Sequence, residues 1–157
     1  MPIKGLAGTI LIFALCGCGS RSNSETHFIA FSQANDAEPY RAAQNALMTK
    51  LFAQSPGVKL VISDAQQDNS KQVAQIETFI RQKPDLLIVA PNERAALTAI
   101  MGQAMEAKIP VICLERDILQ PNYTTYIHSD NVAIGRKAGQ FIVDALTRKY
   151  GRPKGTI

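Results

Sequence analysis

The sequence predicts an α/β domain built on a doubly wound, open parallel sheet of about five strands. Two observations lead to this prediction. Short apolar runs recur along the chain, and a segment with helical spacing of its apolar residues follows most of them. The runs are nearly continuous instead of alternating, as is typical of strands that are covered on both faces. Strand and helix therefore alternate in right-handed βαβ units, which place neighbouring strands parallel.

Five segments are predicted strands, and the last of them is the weakest. Each is a short run of apolar residues in which β-branched side chains are frequent. The segments span residues 28–31, 58–62, 86–90, 110–114 and 125–128. A helical pattern separates each of the first three from the next, whereas a loop connects the fourth to the fifth.

Four segments are predicted helices, because their apolar residues are spaced by three and four. Pro39 suits the first turn of the first helix, where its missing N–H is not needed. Asn92 is a plausible N-cap of the third helix, and Asp64 and Asp130 are interpreted as turn or helix caps. The apolar positions are Tyr40, Ala43, Leu47 and Leu51, then Val73, Ile76, Phe79 and Ile80, then Leu97, Ile100, Met101, Ala104 and Met105, and finally Ile134, Ala138, Phe141, Ile142 and Leu146.

Residues 1–17 have the pattern of an export signal. A short positive start precedes an uncharged apolar run over residues 5–15, which is shorter than the roughly 20 residues that cross a bilayer as a helix. Leu15-Cys16-Gly17-Cys18 resembles the bacterial lipobox, whose last cysteine is lipidated and becomes the mature N-terminus. We therefore expect a lipid on Cys18 and a flexible tether over residues 18–26. The alternative is an ordinary cleaved signal peptide with incidental cysteines.

Composition and charge exclude several classes of protein. The 157 residues are 46% hydrophobic and 19% charged, which excludes a disordered chain, a collagen-like fibre and a disulfide-dense miniprotein. The net charge of +4 is mild, so no nucleic-acid partner is predicted. Cys113 would be the one cysteine left in the folded part, and its apolar neighbours predict a small core residue.

Residues 27–150 are predicted to form one folded unit, and residues 151–157 the start of a further element. Gly and Pro punctuate the end of the last helix, and Thr156 and Ile157 look like the beginning of another strand. We therefore expect a truncated chain, a fragment.

Polar residues follow the predicted strands, at the edge where open parallel sheets bind ligands. They are rich in carboxylates, amides and guanidiniums, which suit a neutral polyhydroxyl ligand: arginine donates a planar fork to vicinal hydroxyls, and carboxylates accept from them. His27 and His128 lack paired ligand spacing and are interpreted as structural. The polar residues in question are Ser32, Gln33, Asn35, Asp36 and Glu38, then Asp64, Gln66 and Gln67, then Asn92 and Glu93, then Glu115, Arg116 and Asp117, and last Ser129, Asp130 and Asn131.

From residue 27 to residue 157 the sequence resembles the type 1 periplasmic sugar-binding proteins of ABC import systems, which include ribose and galactofuranose binders. The order and spacing of several short segments carry the resemblance, and no single segment is specific. They are Phe31-Ser32-Gln33, Tyr40-Arg41-Ala42-Ala43, Asp64-Ala65-Gln66-Gln67, Ile109-Pro110-Val111-Ile112, Leu114-Glu115-Arg116 and Ser129-Asp130-Asn131-Val132.

The family has two lobes, so the resemblance implies that residues 27–150 are the N-terminal lobe, that residues 151–157 begin the crossover, and that the second lobe is missing.

The resemblance also implies two pairs of sugar contacts. An aromatic-Arg pair that opens the first helix corresponds to Tyr40 and Arg41, although Tyr40 fits core packing equally well. An Asp-Arg pair after the fourth strand corresponds to Glu115 and Arg116, where glutamate is a departure that adds about 1.5 Å of reach. Three further candidates for ligand contact, which would otherwise shape the first loop, are Ser32, Gln33 and Asn35.

The predicted function is that of a non-catalytic, sugar-binding lipoprotein of an ABC importer. Its expected partners are a carbohydrate, a permease and the membrane to which Cys18 anchors it, in the periplasm or at the cell surface. No cofactor, metal or catalytic residue is expected. The alternative is a module that presents a sugar or related solute to a membrane receptor. A nucleotide-dependent enzyme is disfavoured, because residues 32–39 lack the glycines that phosphate binding needs.

Overall fold

The computed structural model describes residues 26–154. The predicted signal peptide, Cys18, the tether before residue 26 and the strand start at Thr156 and Ile157 lie outside the described residues, so these expectations stay predictions.

A single five-stranded sheet forms the centre of the fold, and every strand pair in it is parallel. Along the sheet the order is β2-β1-β3-β4-β5, so the first strand lies inside and the chain winds outward on both sides of it. This confirms the predicted doubly wound α/β class. The strands are β1 (His27–Gln33), β2 (Val58–Asp64), β3 (Leu86–Val89), β4 (Val111–Leu114) and β5 (Thr125–Ile127).

Four helices connect or follow the strands, as the spacing predicted. Pro39 lies in the first turn of the first helix, and the Asp130 carboxylate caps the last one by accepting from the Ala133 N–H at 2.9 Å. Both predictions are confirmed. The helices are α1 (Pro39–Phe52), α2 (Asn69–Gln82), α3 (Arg94–Glu106) and α4 (Asn131–Tyr150).

The predicted cap of α3 is wrong. The N-cap residue is Glu93, and its side chain makes no capping hydrogen bond. Asn92 uses its amide group elsewhere, donating to the Gln67 carbonyl at 3.0 Å and to Asn69 Oδ1 at 2.7 Å. Asn92 is one residue too early to cap the helix, and its side chain ties two loops at the sheet edge together.

The core lies on both faces of the sheet, which is why the strand runs are nearly continuous. On one face Ala30, Leu87 and Val111 pack with α2 and α3. On the other face Phe31 and Ile88 pack with Met48 of α1. Truncating a fully buried side chain of this kind to alanine costs about 2–5 kcal/mol. The strands are therefore fixed in register by packing as well as by hydrogen bonds.

Helix α4 forms where the periodicity predicted it, but its apolar residues are not packed. None of its residues is buried, and Ile134 and Phe141 are 56% and 67% exposed. An amphipathic spacing predicts a helix with an apolar face, and it does not say which surface that face contacts. No helix within residues 26–154 has the length and hydropathy needed to cross a membrane.

Cys113 is fully buried in β4, which confirms the predicted core residue. Burial, with a smaller contribution from the nearby Asp117 carboxylate, raises the pKa of the thiol from 9.0 to about 12. The thiol therefore stays protonated at neutral pH and is a poor nucleophile.

Candidate functional site

The candidate site lies where the carboxyl ends of the strands meet. The parallel strands bring the ends of β1, β3 and β4 to one edge of the sheet, together with the first turn of α1. Loops and helix N-termini converge at such an edge, so polar side chains distant in sequence come into contact there.

Arg41 contacts three other side chains at this edge. Its guanidinium Nη2 lies 2.9 Å from Glu115 Oε2, Nη1 donates to Gln33 Oε1 at 2.7 Å, and Nε donates to Glu38 Oε2 at 3.2 Å. The Arg41 side chain is only 5% exposed. Three of the predicted site residues, Gln33, Arg41 and Glu115, are thus joined directly, and the start of α1 is tied to the end of β4.

Glu115 has a left-handed backbone conformation, with φ of 70°. This conformation costs about 1–2 kcal/mol for a residue with a Cβ, so neighbouring contacts must hold it. The Glu115 N–H donates to the Ile127 carbonyl at 2.8 Å, and the Tyr126 hydroxyl donates to the Glu115 carbonyl at 3.1 Å. β5 therefore fixes the turn from which the Glu115 carboxylate reaches Arg41.

Arg116 is exposed, and its guanidinium Nη1 donates to the Asn92 carbonyl. It lines an open cavity of about 390 Å³ at this edge, between the N-termini of α3 and α4. On the far side Arg94 lies 3.9 Å from the Asp117 carboxylate. The residues that line the cavity are Arg94, Glu115, Arg116, Asp117, Tyr126 and Asn131.

Three predicted site residues have side chains that are turned inward. Ser32 and Gln33 are 0% exposed and Asn35 is 4% exposed. Gln33 Nε2 donates to Gln44 Oε1 and Asn45 Oδ1, at 2.9 and 3.1 Å, while its Oε1 accepts from Arg41. The side-chain Oδ1 of Asn35 accepts from the Glu38 N–H at 3.3 Å. Gln33 therefore holds the Arg41 guanidinium in place, and Asn35 fixes the loop before α1. A ligand contact by Ser32, Gln33 or Asn35 stays a prediction.

Tyr40 faces solvent next to Arg41. The residue is 62% exposed, so the structure does not support the alternative that Tyr40 belongs to the core. Helical periodicity alone could not separate the two adjacent residues, and it is the arginine that the fold buries.

Sequence reasoning missed Arg94 and Tyr126 as neighbours of the cavity. Arg94 begins α3, directly after the strand-end residues that were considered, and its position was the available signal. Tyr126 lies within β5, where its residue type is ordinary for a strand. Only the sheet order, which puts β5 beside β4, brings its hydroxyl to the site.

The electrostatics of the site favour a neutral ligand. Among the residues that line the cavity, Arg94 and Arg116 are matched in number by Glu115 and Asp117, so no excess of either charge faces the cavity. Across residues 26–154, no cluster of three His, Cys, Asp or Glu side chains is arranged as metal ligands are. The arrangement can donate and accept hydrogen bonds in several directions, as a ligand with many hydroxyl groups requires.

Comparison with known proteins identifies the family. The model of the periplasmic binding protein domain matches residues 29–157. The chain belongs to the periplasmic binding protein family. This confirms the resemblance and indicates an exported, periplasmic protein, and the family is one of non-catalytic solute-binding proteins. Cys18 lies outside the matched residues, so its lipid attachment stays a prediction.

Two curated relatives and one solved structure illustrate the similarity. The ribose import binding protein of Bacillus subtilis is 36% identical over 94 residues, which cover 60% of this chain and 31% of the relative. The galactofuranose-binding protein of Escherichia coli is 29% identical over 124 residues, covering 77% and 39%. The fructose-binding periplasmic domain of a hybrid two-component system is 36% identical with a TM-score of 0.73, covering 77% and 40%.

These relatives are all much longer than this chain, which spans less than half of each. The family model, by contrast, covers every described strand and helix apart from the first two residues of β1. Ligand, partner and whole-protein activity therefore enter below as proposals.

Proposed function

We propose that this chain supplies the N-terminal lobe of a sugar-binding protein that serves an ABC importer. The relatives named above bind ribose, galactofuranose and fructose by their descriptions, and all three are neutral sugars. The balanced charges and open cavity of the candidate site suit the same class of ligand.

The ion pair between Arg41 and Glu115 is the observation that carries this proposal. It joins the first turn of α1 to the turn after β4 at 2.9 Å, so the two segments that the resemblance assigns to the sugar lie side by side. If they lay on opposite sides of the domain, one small ligand could not contact both.

The exposure of each side chain in the site indicates its role in sugar binding. Arg116 is exposed beside the cavity and presents donors to vicinal hydroxyls, while Glu115, whose side chain is 40% exposed, accepts from a hydroxyl with the oxygen that Arg41 leaves free. The exposed ring of Tyr40 covers C–H bonds of the sugar. Arg41 and Gln33 are buried and hold these groups in place.

A sugar screen tests the proposal. We expect neutral monosaccharides, tested by calorimetry and by thermal shift on the longest natural form of the protein, to bind and to raise Tm, with a pentose or a furanose sugar bound best. The 157-residue chain alone should bind weakly, because one lobe cannot enclose a sugar. Failure of every neutral sugar to bind the longest form, or micromolar binding by the 157-residue chain, would contradict the proposal.

Lipid anchoring through Cys18 is proposed on the lipobox pattern alone. Radiolabelled palmitate is expected in the wild-type protein when it is expressed in a bacterial host. The label should disappear in Cys18→Ser and persist in the matched control Cys16→Ser. Retention of label in Cys18→Ser would show that another residue carries the lipid or that the label is not on a lipobox cysteine.

A sensory role is the second candidate, because one similar structure is the periplasmic domain of a hybrid two-component system. In that case the same site would bind the sugar, and the bound lobe would be presented to a membrane receptor in place of a permease. Co-purification of the longest natural form with a permease favours the importer, and co-purification with a histidine kinase favours the sensor.

A further inference from the structure

Gln72 is a fully buried glutamine in the first turns of α2, beneath the candidate site. Its Nε2 donates to the Ala90 carbonyl at 2.9 Å and lies 3.5 Å from the Ser32 carbonyl. Its Oε1 accepts from the Asn92 N–H at 2.9 Å. One side chain thus holds the backbone where β1 and β3 end.

The Ser32 carbonyl also accepts from the Ala90 N–H at 3.0 Å, whereas among the described residues the Ala90 carbonyl and the Asn92 N–H are held by Gln72. A buried backbone group left without a partner costs about 1–3 kcal/mol, so a carboxamide that supplies both a donor and an acceptor is well suited to this position. Because Gln72 is buried and its amide is engaged at both ends, the Asn92 N–H has little freedom to move.

Asn92 connects Gln72 to the site. Its N–H is held by Gln72, and its carbonyl accepts from the Arg116 guanidinium. The direction of Arg116 therefore depends on where the Asn92 backbone lies.

We propose that Gln72 is a positioning residue, which fixes the Asn92 backbone and through it the direction of the Arg116 side chain in the cavity. The relevance of this direction to sugar binding rests on the proposed function, since it is Arg116 that would contact the sugar. Gln72 itself is buried and makes no contact with a ligand.

Gln75 offers a matched control on the same helix. Its Nε2 donates to the Asp64 carbonyl at 2.8 Å, so it holds the end of β2 as Gln72 holds the ends of β1 and β3. No hydrogen bond joins Gln75 to Asn92 among the described residues. A general loss of stability would therefore appear in variants of both glutamines. An effect on Arg116 would appear only in variants of Gln72.

The experiment compares Gln72→Met with Gln75→Met by NMR on the 157-residue protein without sugar. Hydrogen exchange of the Asn92 amide and rotation of the Arg116 guanidinium should both become about two- to tenfold faster in Gln72→Met, as the loss of one hydrogen bond implies. In Gln75→Met both rates should match those of the wild type. If Gln72→Met does not fold, Gln72→Asn, which is one methylene too short to reach Asn92, carries the same expectation.

An unchanged Arg116 rotation in a folded Gln72 variant would overturn the proposal, even if the Asn92 amide exchanged faster. An equal change in the Gln75 variant would overturn it as well, because the effect would then be one of general stability. Since no sugar is present, these outcomes do not depend on the proposed function. If sugar binds, Gln72→Met should raise the Kd for the sugar when Arg116 is present. In the Arg116→Ala background, the same substitution should leave that Kd unchanged.

Discussion

Replacing Arg41 with methionine should lower the free energy of unfolding by about 3 kcal/mol, a value typical of removing one partner from a buried, hydrogen-bonded ion pair. The substitution leaves the fully buried Gln33 Oε1 without its strongest donor and Glu115 without its cation. Methionine fills most of the space, so lost packing contributes little. Denaturant titration followed by circular dichroism measures the change.

Glu38→Gln is the control for Arg41→Met. Glu38 lies 3.2 Å from the same guanidinium, but its side chain is 55% exposed. Exposed pairs contribute about 0–1 kcal/mol, so this variant should remain close to the wild type. Equal losses of unfolding free energy in the two variants would show that the buried contacts of Arg41 do not stabilise the site.

Replacing Arg116 with alanine should raise the Kd for the sugar about 30-fold, which corresponds to about 2 kcal/mol, because hydroxyl groups of the sugar lose a charged donor. Stability should change much less, since Arg116 is exposed and makes one hydrogen bond to the Asn92 carbonyl. Calorimetry on the longest natural form, with the best sugar of the screen, measures the effect.

Arg136 provides the control for Arg116. It is an exposed arginine on α4, away from the cavity lining. Arg136→Ala should leave the Kd unchanged. An unchanged Kd in Arg116→Ala would remove this residue from the sugar site.

The strands and helices could be predicted from the sequence because hydrophobic burial acts on contiguous residues. β2 was predicted over 58–62 and forms over Val58–Asp64, with the two added residues polar. The spacing also predicted α4, but it carried no information on what the apolar face of that helix contacts, and Phe141 is exposed.

The candidate site was predictable in position and less so in detail. Parallel strands place Arg41 and Glu115 at one edge, and this much follows from the order of the elements. That Arg41 is buried and Tyr40 exposed depends on an ion pair between Arg41 and Glu115, which are far apart in sequence. The left-handed turn at Glu115 was not predicted, because glutamate has no preference for that conformation.

Gln72 was missed for a different reason. Its hydrogen-bond partners are backbone atoms of Ser32, Ala90 and Asn92, and backbone partners leave no pattern in residue types. From the sequence alone, a glutamine in the first turns of a helix reads as an ordinary solvent-facing residue.

A sugar titration followed by amide NMR shifts tests most directly whether the edge formed by α1 and β4 binds sugar. The isotope-labelled protein, in its longest natural form, is titrated with the best sugar of the screen. Within this lobe, the largest shifts should fall on residues 35–41 and 115–117, and Arg116→Ala should reduce them. Shifts confined to other surfaces of the lobe, or unaffected by Arg116→Ala, would contradict the account.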